Sequence, residues 1–159
     1  MRPASNWRRR AVRPRRSRPS TTPSSRHTGL KYADFDIEGA AVADSTSIAR
    51  RSQALKTLQN NNPGLKISLT LPVLPNGLTA DGLTVVKAAK DAGVNLDLVN
   101  IMAMDYYQGA GDQGAKAISA AKATQAQLKP LFGLSGAAAW KKVGVTPMIG
   151  VNDSQNEIW

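Results

Sequence analysis

The sequence predicts an α/β fold built on a parallel sheet. Two observations lead there. Four apolar stretches of strand length alternate with three helical patterns, in the order strand, helix, strand, helix, strand, helix, strand. Two acids, Glu38 and Asp105, follow apolar runs directly, at the strand C-terminal ends where parallel sheets place their chemistry.

Leu30 to Glu38 reads as a buried first strand. Asp44 to Asn60 reads as a helix that Asp44 or Ser45 can cap, with Ile48, Leu55 and Leu58 near helical spacing and Asn61-Asn62-Pro63-Gly64 as its stop. Leu65 to Val73 is a second strand with Ile67, Leu69 and Leu71 on one face, ended by Pro72 and Pro75. Thr79 to Ala92 is a helix capped by Thr79, with Asp81 in its first turn and Gly93 at its close. Leu96 to Tyr106 is a third strand, and Asp112 to Leu128 an alanine-rich third helix. Ser135 to Lys142 is a short extra helix, with Trp140 in the core, and Val143 to Gly150 a fourth strand.

Charge divides the chain in two. Residues 1–26 hold nine arginines and no acid, leaving twelve basic and eleven acidic residues for the rest of this +10 chain. Residues 1–27 therefore read as a disordered Arg/Pro/Ser-rich tail, and residues 28–159 as the folded domain. Such a tail can bind nucleic acid by charge alone, but no interleaved aromatics beyond Trp7 accompany it, so nucleic acid is not the expected partner. No apolar stretch follows the arginines, so no export signal is readable, and nothing approaches a membrane span. The chain has no cysteine, which rules out disulfides and thiolate metal sites. His27 is the only histidine, which rules out a histidine-rich metal site and leaves no basis for a Ser-His-Asp or Cys-His pair; no cofactor is expected.

Asp34-Phe35-Asp36-Ile37-Glu38 places three carboxylates at alternating positions. In a strand, Asp34, Asp36 and Glu38 share one face, about 6.6 Å apart at the backbone, while Phe35 and Ile37 take the other. Like charges that close resist joint ionisation, so one acid should hold a proton near neutral pH. A protonated acid beside an ionised one can cleave a glycosidic bond.

At these residues the chain resembles the family 18 glycoside hydrolases of the bacterial chitinase type, which carry D-x-x-D-x-D-x-E on the fourth strand of a (β/α)8 barrel. Asp34, Asp36 and Glu38 match the last three acids; Lys31 stands where the first is usual. The likeness extends through Ser68-Leu69-Thr70-Leu71-Pro72, Val99 to Tyr106, and Val145 to Asp153, which resemble the family's fifth, sixth and seventh strands. The resemblance implies a partial (β/α)8 TIM barrel of four parallel strands, the fourth to the seventh. A full barrel of ~250 residues has eight βα units. The change of composition at residues 26–28 is read as the mark of a truncated or frameshifted reading frame.

The resemblance further implies hydrolysis of β-1,4-linked N-acetylglucosamine polymers, with the substrate's own acetamido group as nucleophile. Glu38 matches the general acid and Asp36 the acid that orients the acetamido group. Asp34 matches a buried acid behind them that shares a proton. Asp105 matches a contact to the acetamido oxygen. Met104 stands where many relatives have a tyrosine and Tyr106 follows, which leaves the source of that hydroxyl open; Met102 and Met104 line the pocket or pack in the core. Glu38 is expected to project into a sugar-sized hollow. The expected partners are chitin or N-acetylglucosamine oligosaccharides, in an extracellular setting. A non-catalytic carbohydrate-binding relative and an endo-β-N-acetylglucosaminidase are the alternatives. With neighbouring barrel units missing, the sheet should have two open edges and weak stability, or associate.

Overall fold

The computed structural model describes residues 29–159. The expectation of a disordered arm over residues 1–27, His27 included, lies outside the described residues. The elements are β1 (Tyr32–Asp36), a 3-10 turn (Gly39–Val42), α1 (Ser45–Asn61), β2 (Lys66–Pro72), α2 (Ala80–Asp91), β3 (Leu96–Ala103), α3 (Gln113–Phe132), α4 (Gly136–Trp140) and β4 (Val143–Pro147). The four strands form one sheet in the order β1-β2-β3-β4, and every adjacent pair is parallel. Each strand thus lies beside its predecessor, after a helical crossover, as the βα alternation requires.

The helix starts follow from local chemistry. Asp44 accepts from the Thr46 N–H at 3.0 Å, Thr79 from the Gly82 N–H at 3.2 Å and Asp112 from the Ala115 N–H at 2.8 Å. Each satisfies a donor the helix cannot satisfy itself, a contribution of about 1 kcal/mol. α3 runs past the expected Leu128, through Pro130, to Gly133. A proline so near the C-terminus removes one intrahelical bond only, and the left-handed Gly133 (φ 64°) ends the helix instead. Two glutamines tie loops to helices by pairing both polar groups of a backbone unit: Gln59 with Asn95 at 2.8 and 2.9 Å, and Gln127 with Leu78 at 3.0 and 2.9 Å.

The core lies on one side of the sheet. Ile67, Leu69 and Leu71 of β2 and Val99, Ile101 and Ala103 of β3 have no exposed surface. They pack in one cluster with Ile48 and Leu55 of α1, Val85, Val86 and Ala89 of α2, and Ala120 and Leu128 of α3. The opposite side carries Asp34, Asp36, Ser68, Thr70, Asn100 and Thr146.

Three expectations change. β1 is not buried: Tyr32, Asp34 and Asp36 are exposed, and only Ala33 and Phe35 pack partly against the core. The reason is its place at the sheet edge, covered by helices on one face. β3 ends at Ala103 rather than Tyr106, because Asp105 (φ 45°) and Tyr107 (φ 55°) leave the extended region. Trp140 is 46% exposed, since the five-residue α4 buries Ala139 and turns the indole outward.

Among the described residues both sheet edges are open, as expected: β1 and β4 each pair there on one side only. Near the β4 edge Val145, Ile149, Val151 and Ile158 are exposed.

Candidate active site

The acids of β1 sit above a polar row that crosses all four strands. Asp36 is in register with Thr70, Thr70 with Asn100, and Asn100 with Gly144. Thr70 donates its hydroxyl to Asp34 Oδ2 at 2.6 Å, and Ser68 donates to Asp34 Oδ1. The Asn100 amide nitrogen donates to Thr70 Oγ1 at 3.1 Å and to Thr146 Oγ1 at 2.7 Å. Gly144 makes room for this amide: a Cβ there would stand 2.8 Å from Asn100 Oδ1 and 2.6 Å from Leu98 Cδ2. Ser68 and Thr70 are buried, so their hydroxyls need these partners.

Asp34 is therefore not the buried acid that was expected. It is exposed, and each of its oxygens accepts from a β2 hydroxyl. An edge strand with an uncovered face cannot bury it.

Asp36 and Glu38 are brought together. The neighbouring Asp36 charge, and then a hydrogen bond between the two carboxyls, raise the Glu38 pKa above the ordinary carboxylate value; burial adds the least. The direction of this shift is the one that closely spaced like charges produce. Glu38 follows β1 in extended conformation (φ −131°, ψ 171°), immediately before the 3-10 turn, which continues the strand's direction by two residues. The Glu38 side chain is exposed, because four strands leave their shared face uncovered. A cleft lined by Lys56, Gln59, Asn60, Lys66, Asn95 and Asp97 opens at the N-terminal end of the strands and contains none of these acids.

Asp105 lies beyond the C-terminal end of β3, half-buried. Its Oδ1 accepts from the Ser154 N–H at 2.9 Å. Oriented to satisfy both of its partners, the Asn152 side chain accepts from the Asp105 N–H at 3.2 Å and donates to the Met148 carbonyl at 3.1 Å. Met102 is half-buried on the polar side of the sheet, in register with Pro72 and Thr146; Met104 is half-buried beyond the strand end. Tyr106, expected as a sugar contact, is packed in the apolar core at 3% exposure. Burial first, and the Glu157 charge second, push its phenol up to about 12. The exposed ring beside Asp105 is that of Tyr107, at 77%. Among the described residues no three His, Cys, Asp or Glu side chains are grouped to hold a metal ion.

Several residues of the site were not singled out from the sequence. Ser68 and Thr70 left a signal, as polar residues alternating with Ile67, Leu69 and Leu71. Asn152 lay inside the Val145 to Asp153 run, whereas Ser154 and Glu157 left no signal, because they meet the β3–α3 loop only through tertiary folding.

No family model matches the chain. In sequence it is 43% identical over 144 residues to a probable bifunctional chitinase/lysozyme of Escherichia coli (strain K12), and 42% identical over 144 residues to Endochitinase 11 of Metarhizium anisopliae. These alignments take in 82% of this chain but 16% and 28% of those proteins. In structure it is similar to the catalytic domain of a hyperthermophilic chitinase from Pyrococcus furiosus, with a TM-score of 0.75 and 34% identity, over 84% of this chain and 43% of that one. Catalytic-site mutants of active domain 2 of the thermostable chitinase from that organism, complexed with chito-oligosaccharides, align with a TM-score of 0.74, 34% identity and the same coverage. The chain thus spans less than half the length of each protein it matches. The α/β class and the partial (β/α)8 barrel expected from the sequence agree with these likenesses.

Proposed function

We propose that this chain, part of a catalytic domain of the family 18 chitinase type, serves a glycoside hydrolase acting on β-1,4-linked N-acetylglucosamine polymers, with Glu38 as general acid. The observation that carries this reading is the Asp36–Glu38 carboxyl pair at the C-terminal end of β1. The Asp36 charge discourages ionisation of Glu38, which keeps a proton on it to higher pH than an isolated carboxyl keeps one.

In the proposed reaction the Glu38 proton passes to the glycosidic oxygen as the bond from that oxygen to the anomeric carbon breaks. The carbonyl oxygen of the substrate's 2-acetamido group attacks the same carbon and forms a cyclic oxazolinium ion. Asp36 faces the acetamido N–H and balances the positive charge, and Asp105 contacts the acetamido group from the β3 side. Water then attacks the anomeric carbon as its bond to the acetamido oxygen breaks, which regenerates the acetamide, and the water's proton passes to the Glu38 carboxylate, which restores the acid. Asp34 holds the strand that carries the pair: its bonds to Ser68 and Thr70 anchor β1 to β2. Action outside the cell belongs to the same proposal, since an insoluble polymer has to be met where it lies.

The test is hydrolysis of a soluble chito-oligosaccharide by the wild type and by Glu38→Gln. Turnover that Glu38→Gln abolishes supports the reading; turnover that survives it overturns the assignment of the acid. The exposure of Glu38 favours one second reading, a carbohydrate-binding chain without turnover, because an acid left in water gains little from a preorganised site. Oligosaccharide binding with no hydrolysis by the wild type would select it.

A further inference from the structure

Asp105 and Tyr107 both hold left-handed backbone conformations, with φ of 45° and 55°. For residues other than glycine such a conformation is strained and persists only where the surroundings enforce it. One segment, residues 150–159, supplies the enforcement. Glu157 Oε2 accepts the Tyr106 N–H at 2.8 Å and Oε1 accepts the Gln108 N–H at 3.1 Å. Ser154 donates its N–H to Asp105 Oδ1, and the Asn152 side chain takes the Asp105 N–H. The segment is closed on itself by Asn152 N–H to the Glu157 carbonyl (2.9 Å), Gln155 N–H to the Asn152 carbonyl (2.9 Å) and Trp159 N–H to the Gly150 carbonyl (3.0 Å).

Glu157 has no exposed surface, and among the described residues its carboxylate meets no cationic side chain within ion-pair distance. A buried carboxylate facing two amides is costly unless both bonds are made, and because each amide uses a different oxygen, a glutamine in the same place turns its NH2 donor toward one of them. The residue between the two strained positions and the residue just after them are the ones it grips. We infer that Glu157 is a positioning residue for Asp105: it fixes the β3–α3 loop so that the Asp105 carboxylate keeps one orientation at the C-terminal end of the sheet. The role in sugar binding rests on the proposed function above; the coupling between Glu157 and Asp105 does not.

Two measurements on the full chain test this. The first is the amide proton of Ser154 by NMR, which reports its bond to the Asp105 carboxylate. Asp105→Asn should move that signal, and Glu157→Gln should move it in the same direction while the amides of Leu69 and Ile101 stay protected from exchange. The second is the affinity for an N-acetylglucosamine tetramer. Each variant should weaken binding about tenfold, and the double variant should lie within about twofold of Asp105→Asn alone, as for two residues acting through one contact. Glu157→Asp keeps the charge, reaches one amide and should fall between; it replaces Glu157→Gln if that variant loses the protected sheet amides. An unmoved Ser154 signal, or about a hundredfold loss in the double variant, would overturn the inference. A wild type that binds no tetramer, with the Ser154 signal still responding to Glu157→Gln, would refute the proposed function and uphold the coupling.

Discussion

Thr70 donates its hydroxyl to Asp34 Oδ2 at 2.6 Å, across the boundary between the edge strand and its neighbour. The same hydroxyl accepts from Asn100, which reaches on to Thr146, so one threonine joins polar groups from all four strands. The side of the sheet without helices is held by this row rather than by apolar packing.

Thr70→Val should therefore loosen the sheet. It leaves Asn100 with one acceptor and Asp34 with one donor, and should cost about 1–2 kcal/mol. Denaturant titration measures it, and amide exchange in β1 should quicken before exchange in β2. No change in either would mean that the row adds nothing to stability.

Glu38→Gln should lower hydrolysis of a chito-oligosaccharide by at least about a hundredfold, the usual range for a positioned acid. Oligosaccharide affinity should change much less, because the amide keeps the shape and loses only the transferable proton. Single-turnover rates compared with equilibrium binding separate the two effects.

Asp36→Asn should shift the titration of Glu38 downward. The Asp36 charge is the largest cause of the raised Glu38 pKa, so removing it returns that carboxyl toward its ordinary value. Glu38 then loses its proton at lower pH, and the alkaline limb of any pH–rate profile moves toward acid. Carbon-13 NMR of the Glu38 carboxyl checks the sign without requiring turnover; an upward shift would contradict the pairing.

Tyr106 should resist ionisation, and ionising it should weaken the fold. Its folded pKa of about 12 lies above the unfolded phenol value of ~10. The stability this gives is complete below pH ~10 and is lost as pH rises through about 12. Ultraviolet titration should show a tyrosine transition near there that is missing in Tyr106→Phe.

The open edge at β4 should promote association. Ile149 is 88% exposed and Val145 44%. An unpaired strand edge beside exposed apolar residues is a template for another chain. Light scattering should show association that rises with concentration and falls in Val145→Lys/Ile149→Lys. A monomer at all concentrations, with a cooperative thermal transition, would show that four strands suffice by themselves.

What the sequence determined is local. Alternation in Ile67, Leu69 and Leu71 assigned a buried face to β2 because side chains change sides at every residue of a strand. Asp44, Thr79 and Asp112 marked the helix starts because their side-chain oxygens reach amides two or three residues on. The spacing of Asp36 and Glu38 brought two like charges together for the same short-range reason. The tertiary structure decided what depends on distant segments. Asp34 meets Thr70 from 36 positions away, and Tyr106 meets Glu157 from 51. Tyr106 turns into the core and Asp34 stays in water because other strands and helices cover one place and leave the other bare. No local pattern records that coverage, since burial belongs to the assembled layers and not to any one stretch of chain.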